Sequence, residues 1–380
     1  MPGGRKDSDG MKIVEVALER LRLPLDPPFH AAWNPEPRHE VEATLVCVHT
    51  DEGITGVGSG GPMDGFDSYR HLFLGTDPLD IVNQVRTIET ANFHGACYWP
   101  LEAAFWDIIG QAAGLPVSVL FGNAAKRLPA YASTGELRSP ADRAESALAL
   151  RERGFRAMKI RMDRGRLREG IEAVRRTREA VGDDFEIMVD LDQSWRTAGD
   201  VQPATDLVHT RKIVAELGEH GVYWVENPLP YPDLPGYKRL RADIPHVRIA
   251  AGGLHRSIPE LLRSLELDAL DIYQMDVVQA VGMLRARTLA ELALLKHRHY
   301  TPRTWTNGIG LLANLHVAAG VGGGPYFEFP CDPPTWTPQR RDYMLAEPLD
   351  IDTDGFLTVP QSPGLGVELD EDAVARWRVA

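Results

Sequence analysis

Charged side chains follow a series of short apolar stretches in this 380-residue sequence. They are Lys159 and Arg161 in RAMKIR, Asp190 in IMVD, Glu226 in VYWVE, Asp276 in YQMD, Arg303 in TPR and Glu328 in YFEF. If the apolar stretches are parallel strands, their carboxyl ends meet at one face of a sheet and these side chains converge there. Contact with solvent explains a charge at any one strand end, but it explains six such ends less well than a shared site does.

Asp190 and Glu226 end consecutive predicted strands, so we expect their carboxylates to lie side by side. Two carboxylates that close repel each other unless one is protonated or a cation lies between them. Mg²⁺ suits this position, because it is often held by one or two protein carboxylates together with waters and substrate oxygens. The alternative is ion pairing with Lys159 or Arg161. Lys159 stands out because the chain has seven lysines and the other six lie away from these strand ends.

The elements that must position these residues follow a regular pattern from residue 129 onward. The predicted strands end near Thr134, Arg161, Asp190, Glu226, Gly253, Asp276, Arg303 and Glu328. Helical periodicity lies between them, for example over 141–153, 167–181, 206–220 and 283–295. Successive strand ends are 23 to 36 residues apart, which is about the length of one βα unit. Eight such units predict a (β/α)₈ barrel of the TIM type. The alternative, a doubly wound open sheet, usually has a glycine-rich first turn that is absent here.

The first part of the chain follows a different pattern. β-Branched stretches at 11–18, 42–50 and 53–58 predict a small antiparallel sheet. Apolar residues at helical spacing predict a helix over 99–113. The proline-containing and glycine-rich stretches at 24–37 and 56–65 are interpreted as exposed loops.

These patterns divide the chain into four segments. We predict a flexible extension at 1–10, an α+β capping domain at 11–128, a barrel domain at 129–350 and a C-terminal return to the cap at 351–380. The last segment combines a short predicted strand with proline–glycine turns, which favours a return to the cap over a ninth barrel unit.

Composition excludes several classes of protein. Forty-one Lys and Arg against 54 Asp and Glu give a net charge of −13, which argues against partners such as nucleic acid or an anionic membrane surface. Three widely separated cysteines support neither a disulfide framework nor a thiolate zinc site. The polar start of the chain is unlike a signal peptide. We therefore expect a cytoplasmic protein.

The sequence resembles the enolase superfamily, specifically its mandelate racemase/muconate lactonizing enzyme branch. The resemblance spans about residues 11–370 and rests on LEAAFWDIIGQAAGLPVSVLFGN from Leu101, the strand Lys159–Arg161, VDLDQSW from Val189, WVENP from Trp224, IYQMDV from Ile272, PRTWTNGIG from Pro302 and FEFP from Phe327. It implies a barrel with a cap built from both termini, and a site roofed by the loops near 24–37 and 56–65. It also implies Mg²⁺, which in this family binds a substrate carboxylate and stabilises the enolate formed when a base removes the α-proton.

The resemblance places Asp190 and Glu226 at the first two metal-ligand positions. The third position, a carboxylate in the family, is Gly253 in RIAAGGLHRS. This loss should weaken Mg²⁺ binding, while Asp192, water or substrate completes the coordination shell. His255 is a weaker candidate because imidazole suits Mg²⁺ poorly. We expect a glutamate restored at position 253 to tighten the binding of Mg²⁺.

The proton-transfer positions are also altered. Asp276 keeps one half of the family's His–Asp dyad, whereas the histidine is Arg303, and Arg161 stands where the second lysine of a KxK motif is expected. Deprotonating an arginine at pH 7 costs roughly 7 kcal/mol. Both arginines are therefore expected to bind a carboxylate or an oxyanion, unless Arg303 simply pairs with Asp276. Lys159 is left as the candidate base, with Asp276 second, and Glu328 matches a glutamate near the substrate carboxylate.

We predict a Mg²⁺-dependent lyase that enolises a small carboxylate, of the acid-sugar dehydratase type. One alternative, favoured by the altered dyad, is a catalytically silent family member that binds a ligand or acts as a regulator. A further alternative is a racemase or cycloisomerase. The expected partner is a small-molecule carboxylate, and we expect a homo-oligomer. Trp195 and Trp305 follow strand ends, where they either line the pocket or pack against loops.

Overall fold

The computed structural model of the chain describes residues 10–192 and 197–379. The predicted flexible extension, apart from Gly10, lies outside the described residues, and so does Trp195. Within the described ranges, no helix combines the length and the apolar composition that a membrane crossing requires.

An antiparallel sheet begins the structure, as the sequence predicts. Its order is β1-β2-β3. The strands are β1 (Ile13–Phe29), β2 (Arg38–Thr50) and β3 (Thr55–Gly60). The sheet packs against a set of helices that follows it along the chain. These helices are α1 (Ile81–His94), α2 (Trp99–Ala113) and α3 (Val117–Leu120).

The interpretation of two stretches as exposed loops is wrong in part. β1 continues to Phe29, which is fully buried. Gly56 and Gly58 belong to β3 and lie directly on α2. A Cβ atom at Gly56 would lie 2.1 Å from the carbonyl oxygen of Ala104, and one at Gly58 would lie 2.0 Å from that of Pro100. These glycines serve close packing of strand on helix, which a loop interpretation misses.

Eight parallel strands form a second, curled sheet in the order β10-β9-β8-β7-β6-β5-β4-β11. They are β4 (Arg127–Ser133), β5 (Ala157–Arg161), β6 (Glu186–Asp190), β7 (Val222–Glu226), β8 (Arg248–Ala251), β9 (Ile272–Tyr273), β10 (His299–Tyr300) and β11 (Phe327–Pro330). The chain order is followed without the reversal that defines a doubly wound sheet, so that alternative is wrong. The first and last strands in this order, β10 and β11, lie close to each other. The hydroxyl of Thr301, just after β10, donates a 3.0 Å hydrogen bond to the carbonyl of Tyr326, just before β11.

One helix connects each pair of consecutive strands in this sheet. The helices are α4 (Pro140–Glu152), α5 (Leu167–Val181), α6 (Leu207–Glu219), α7 (Leu234–Asp243), α8 (Ile258–Glu266), α9 (Met283–Leu295) and α10 (Gly308–Val321). Their apolar faces and the strands share one large core. The molecule is therefore an α/β protein whose parallel strands present their carboxyl ends on one face.

The C-terminal segment contacts both parts of the molecule. It contains β12 (Phe356–Thr358) and α12 (Glu371–Trp377), and the short helix α11 (Pro338–Arg341) precedes it. β12 pairs antiparallel with Arg127–Pro129 of β4, so the predicted boundary between residues 128 and 129 falls inside a paired strand. Further along, the amide of Leu365 donates to Asp107 of α2 (2.7 Å), and the amide of Val379 donates to the carbonyl of Arg20 (2.8 Å).

Glu102 connects the helix α2 to the start of α9. Its fully buried carboxylate accepts hydrogen bonds from the backbone amides of Met283 (2.9 Å) and Leu284 (2.8 Å), and from the indole of Trp106 (3.1 Å). Amides in the first turn of a helix have no partner within that helix, so this side chain supplies an acceptor that the fold otherwise lacks.

We expect Glu102→Ala to lower the free energy of unfolding by about 1–3 kcal/mol, because three donors, two of them buried, lose their acceptor. Thermal unfolding followed by circular dichroism measures the effect. Glu102→Gln is the matched control, since its amide oxygen still accepts one of these bonds and the loss should be smaller. Equal melting temperatures for wild type and Glu102→Ala would show that the contact contributes nothing.

Candidate functional site

The carboxyl ends of the parallel strands bring the predicted residues together. Arg161, Asp190 and Glu226 are the last residues of three adjacent strands and are aligned with one another in the ladder. Lys159 lies two residues before the end of β5, and Glu328 lies in β11. All five side chains are buried. The convergence expected from the strand-end pattern is therefore present.

Lys159 lies at the centre of this group. Its Nζ is 2.8 Å from Glu226 Oε2, 2.8 Å from Glu328 Oε1 and 3.9 Å from Asp190 Oδ2. Burial disfavours the ammonium form, but the charges of Glu226 and Glu328 outweigh burial and raise the pKa of Lys159. In this arrangement the lysine is a cation held between carboxylates, so a role as base requires that its ammonium first lose a proton.

Arg161 neutralises the other side of the group. Its Nη1 donates to Asp190 Oδ2 (2.8 Å) and to Asp192 Oδ1 (2.9 Å), while its Nε donates to the carbonyl of Thr134 (3.2 Å). The ring of Trp33 covers the guanidinium, with 4.3 Å between the guanidinium carbon and the ring centroid. The ion pairing that the sequence left open as an alternative is therefore present on both Asp190 and Glu226.

Three residues that the sequence pattern did not select hold the carboxylates in place. Ser133 Oγ donates to Glu328 Oε1 (2.7 Å), and the amide of Thr304 donates to Glu328 Oε2 (2.6 Å). Gln274 Nε2 donates to Glu226 Oε2 (2.8 Å). A criterion based on charged strand-end residues passes over these neutral donors, although Ser133 ends β4 in the same way that Asp190 ends β6.

The carboxylates of Glu226 and Glu328, which both contact Lys159, differ in the direction of their pKa shifts. Burial favours the neutral form of Glu328, but Lys159 outweighs this effect and lowers the pKa of Glu328. Burial and the neighbouring Asp190 together raise the pKa of Glu226 despite its contact with Lys159. Asp190 and Glu226 are therefore neighbouring carboxylates that repel each other, and each is held by one cation, Arg161 for Asp190 and Lys159 for Glu226.

The donor set fits a magnesium site with two protein carboxylates, Asp190 and Glu226. Gly253 supplies no ligand, and over residues 10–192 and 197–379 no three His, Cys, Asp or Glu side chains are grouped as a metal site. Asp192 shares Nη1 of Arg161 with Asp190. His255 stacks on Tyr231, with 3.6 Å between the ring centroids, and its Nε2 contacts a glutamate in α8. Asp192, water or substrate oxygens are therefore left to complete the shell.

The space beside Gly253 is taken by Arg303. A Cβ atom at Gly253 would lie 2.8 Å from Arg303 Cδ and 3.0 Å from Arg303 Cβ. Atoms that close must move apart, so a glutamate at position 253 cannot enter without displacing the arginine. The expectation that Gly253→Glu alone tightens Mg²⁺ binding is revised accordingly, because the two positions are coupled.

Arg303 pairs with Asp276, as the structural alternative proposed. Arg303 Nη1 is 3.3 Å from Asp276 Oδ2 and donates to Gln279 Oε1 (3.0 Å). Asp276 Oδ1 accepts from the amide of Val278 (2.9 Å) and from other donors nearby. Burial raises the pKa of Asp276 and Arg303 opposes this effect. Both residues lie three positions beyond the short strands β9 and β10.

A cavity of about 180 Å³ lies next to this pair. Its walls include Trp33 and Arg38 from the N-terminal part, Gly60 at the end of β3, and Arg303 and Trp305 beyond β10. Trp305 serves both roles that the sequence left open, because it lines the cavity and also packs against Trp33 with 4.6 Å between ring centroids.

Comparison with known proteins places the fold and the family. The family model described as Enolase C-terminal domain-like matches residues 142–373. D-galactarolactone cycloisomerase of Agrobacterium fabrum is 28% identical, over 97% of this chain and 99% of the relative. L-talarate/galactarate dehydratase of Salmonella typhimurium is 26% identical, over 97% of this chain and 91% of the relative. The crystal structure of a racemase from Streptomyces coelicolor A3(2) with bound magnesium aligns with a TM-score of 0.81 at 25% identity, over 97% of this chain and 100% of that chain.

Proposed function

The chain belongs to the enolase superfamily, in its mandelate racemase/muconate lactonizing enzyme branch, and on this premise we propose that it is a Mg²⁺-dependent enzyme that removes the α-proton of a small carboxylate. Its relatives are cycloisomerases, dehydratases and racemases. We assign it to the lyases of the acid-sugar dehydratase type. The observation that carries the proposal is the buried group of Lys159, Glu226 and Glu328, in which Nζ lies 2.8 Å from both carboxylates.

The proposed architecture is a closed (β/α)₈ barrel over 129–350, with 11–128 and the segment 351–380 forming the cap. The sequential strand order and the contact between Thr301 and the carbonyl of Tyr326 support closure. The contacts of the C-terminal segment with Asp107 and Arg20 support its return to the N-terminal part.

Asp190 and Glu226 are the residues that would hold Mg²⁺. When bound, the ion supplies a Lewis acid that withdraws negative charge from the substrate carboxylate. Arg161 fixes Asp190 through a 2.8 Å hydrogen bond and presents a permanent positive charge to an anionic substrate. Gln274 fixes Glu226 through a 2.8 Å hydrogen bond.

Lys159 is the proposed proton-transfer residue and Asp276 is the second candidate. Lys159 lies at the strand ends, with Nζ bonded to Glu226 and Glu328. To act as the base, its ammonium must first release a proton to water, and the neutral Nζ then accepts the α-proton. Glu328 orients the lysine and is itself held by Ser133. Arg303 is not a base, because an arginine is not deprotonated near neutral pH.

A catalytically silent binding protein is the second candidate function. It is favoured by the two ion pairs of Lys159 and by the arginine at position 303, which together leave the described site without a free base. A racemase is less well supported, because racemisation needs proton transfer on both faces of the substrate carbon and Arg303, which stands where the resemblance places a dyad histidine, is not a base. Turnover separates these candidates.

The test of the proposed function is turnover of a library of acid sugars in the presence of Mg²⁺, followed by product analysis. We expect dehydration of at least one member, and loss of that activity when EDTA removes the metal. Re-addition of Mg²⁺ should restore it. Turnover that persists in EDTA would contradict the metal requirement, and a complete lack of turnover by a protein that still binds acid sugars would support the silent alternative.

A further inference from the structure

A separate cavity of about 250 Å³ lies away from the group of charged residues at the strand ends. Its walls are formed by residues between 89 and 99, from the end of α1 to the start of α2, and by residues that follow β8 and β9. Among the described residues, none lines both this cavity and the one beside Arg303. The site of the proposed reaction therefore does not account for it.

Apolar side chains form a large part of the wall of this cavity. Phe93, Trp99, Ile258 and Val281 supply two aromatic rings and two branched side chains. Phe93 is 85% exposed, so a ligand that lies against its ring would remove apolar surface from water, which is favourable. A cavity of about 150 Å³ holds one benzene ring, so this larger cavity has room for a ring and a small polar group.

Arg256 supplies a positive charge at this cavity. Its Nε donates to the carbonyl of Gln279 (3.2 Å), which ties the guanidinium to the cavity wall. Arg256 forms no ion pair with the residues that the structure describes, so its two terminal nitrogens are available to a ligand. Glu89, which also lines the cavity, is engaged twice by Arg285, at 2.6 and 3.1 Å. The charge that remains to face a ligand is therefore positive.

Asn92 adds a neutral donor to the wall. Its Oδ1 accepts a hydrogen bond from the amide of Tyr98 (2.8 Å), which fixes the orientation of the side-chain amide. Within the described ranges, Nδ2 of the same group has no partner. An ionised carboxylate only accepts hydrogen bonds, so it suits a wall that offers donors from both Asn92 and Arg256.

The wall formed by the backbone after β9 is fixed before any ligand arrives. The consecutive carbonyl groups of residues 278–280 accept hydrogen bonds from Cys97 (3.6 Å), Arg256 (3.2 Å) and Trp99 (2.9 Å), in that order. The same three side chains line the cavity. A wall that is already ordered costs little further entropy when a ligand binds, so the cavity is pre-organised.

We propose that this cavity is a binding site for a small carboxylic acid with an aromatic ring, separate from the site of the proposed reaction. The ring of the ligand lies against Phe93 and Trp99, and its carboxylate pairs with the guanidinium of Arg256. The ligand also contacts the segment that carries Gln279, whose Oε1 accepts a hydrogen bond from Arg303. The proposal does not depend on the proposed function.

Benzoate is the probe for this site, because it has the ring and the carboxylate but no α-proton for the proposed reaction to remove. Isothermal titration calorimetry is carried out in EDTA, so that no metal at Asp190 and Glu226 contributes to carboxylate binding. Benzoate should bind about tenfold or more tightly than benzamide, which has nearly the same shape without the charge. It should exceed acetate, which lacks the ring, by a similar factor.

Labelling of Cys97 locates the bound probe. The thiol lines the cavity, and burial raises its pKa, so its reaction with iodoacetamide is followed at mildly alkaline pH by peptide mass spectrometry. Benzoate should slow the labelling of Cys97 in proportion to the fraction of protein that it occupies. Labelling of Cys47, which lies in β2, should stay unchanged.

The variant Arg256→Gln should weaken the binding of benzoate by about tenfold and leave that of benzamide unchanged. Phe93→Ala should weaken the binding of both, because the ring of each ligand loses its contact. Arg263→Gln is the matched control, because it removes a positive charge from an exposed arginine of α8 that does not line the cavity. Melting temperatures confirm that each variant is folded.

A lack of benzoate binding, or equal affinities for benzoate and benzamide, would overturn the proposal. Binding that is unaffected by Arg256→Gln would overturn it as well, and so would binding that does not slow the labelling of Cys97. Turnover has no part in these measurements. A failure of the proposed function would therefore leave this result as it stands, and the absence of the site would leave the proposed function intact.

Discussion

Replacing Lys159 by methionine is expected to abolish turnover and to destabilise the protein. Methionine keeps most of the length of the side chain and removes the ammonium group, so the proton-transfer step loses its residue and activity should fall by about 10²–10⁴-fold. Glu226 and Glu328 each lose a 2.8 Å ion pair inside the protein. Leaving a buried charge without its partner costs about 3–5 kcal/mol.

The two effects can be separated with a second substitution. In the double variant Lys159→Met with Glu328→Gln, one of the unpaired carboxylates becomes a neutral amide of the same shape, so part of the lost stability should return. Turnover should not return, because the amide does not replace the lysine. Melting temperature and rate are measured on the same preparations. Residual turnover close to that of the wild type in Lys159→Met would remove the lysine from the proton-transfer step and direct attention to Asp276.

The strand-end pattern predicted most of the frame of this site. In β5, β6, β7 and β11 the charged residue that the pattern selected lies within the strand. The strands β9 and β10 are two residues long, and there the charged residue follows three positions after the strand ends. This works because buried parallel strands are short, apolar and regularly spaced, so their ends can be counted along the chain. The neighbouring positions of Arg161, Asp190 and Glu226 follow directly from that regularity.

The contacts between side chains could not be predicted in the same way. Nothing in the local sequence shows that Lys159 pairs with Glu226 and Glu328 at once, because those partners lie 67 and 169 residues away. The packing of β3 on α2 was missed because glycines that permit close approach have the same composition as glycines in a loop. Whether a glycine faces solvent or a helix depends on tertiary structure, which a single sequence does not display.

Position 253 shows the same limit with a larger consequence. The resemblance implies that a metal ligand is missing at Gly253, and the structure shows that the arginine at position 303 packs into the space that a side chain would need. A side chain at position 253 and the arginine at position 303 therefore compete for the same space. An expectation for a single substitution has to take both positions into account.

The variant Gly253→Glu is accordingly expected to lower the stability of the protein by about 1–3 kcal/mol without tightening Mg²⁺ binding, because its side chain collides with the stem of Arg303. Arg303→Ala alone should lower stability by a similar amount, about 1–3 kcal/mol, since Asp276 loses a charged partner but keeps its backbone donors. The double variant has room for the new glutamate and offers a third carboxylate beside Asp190 and Glu226. It should bind Mg²⁺ about tenfold or more tightly than the wild type.

A complete double-mutant cycle tests this coupling, with Mg²⁺ affinity measured by calorimetry and stability by thermal unfolding on all four proteins. The stability losses caused at residues that share space should deviate from additivity by about 0.5–3 kcal/mol. The double variant should lose less stability than the two single variants lose together. Asp192→Asn in the same background serves as a control, because it leaves the volume around Gly253 unchanged and removes the other nearby carboxylate. If Gly253→Glu alone already tightens Mg²⁺ binding to the level of the double variant, Arg303 yields its space freely and the two positions are independent. If the stability losses add, and if neither Gly253→Glu nor the double variant gains affinity for Mg²⁺, the metal is held by groups other than the three carboxylates at these strand ends.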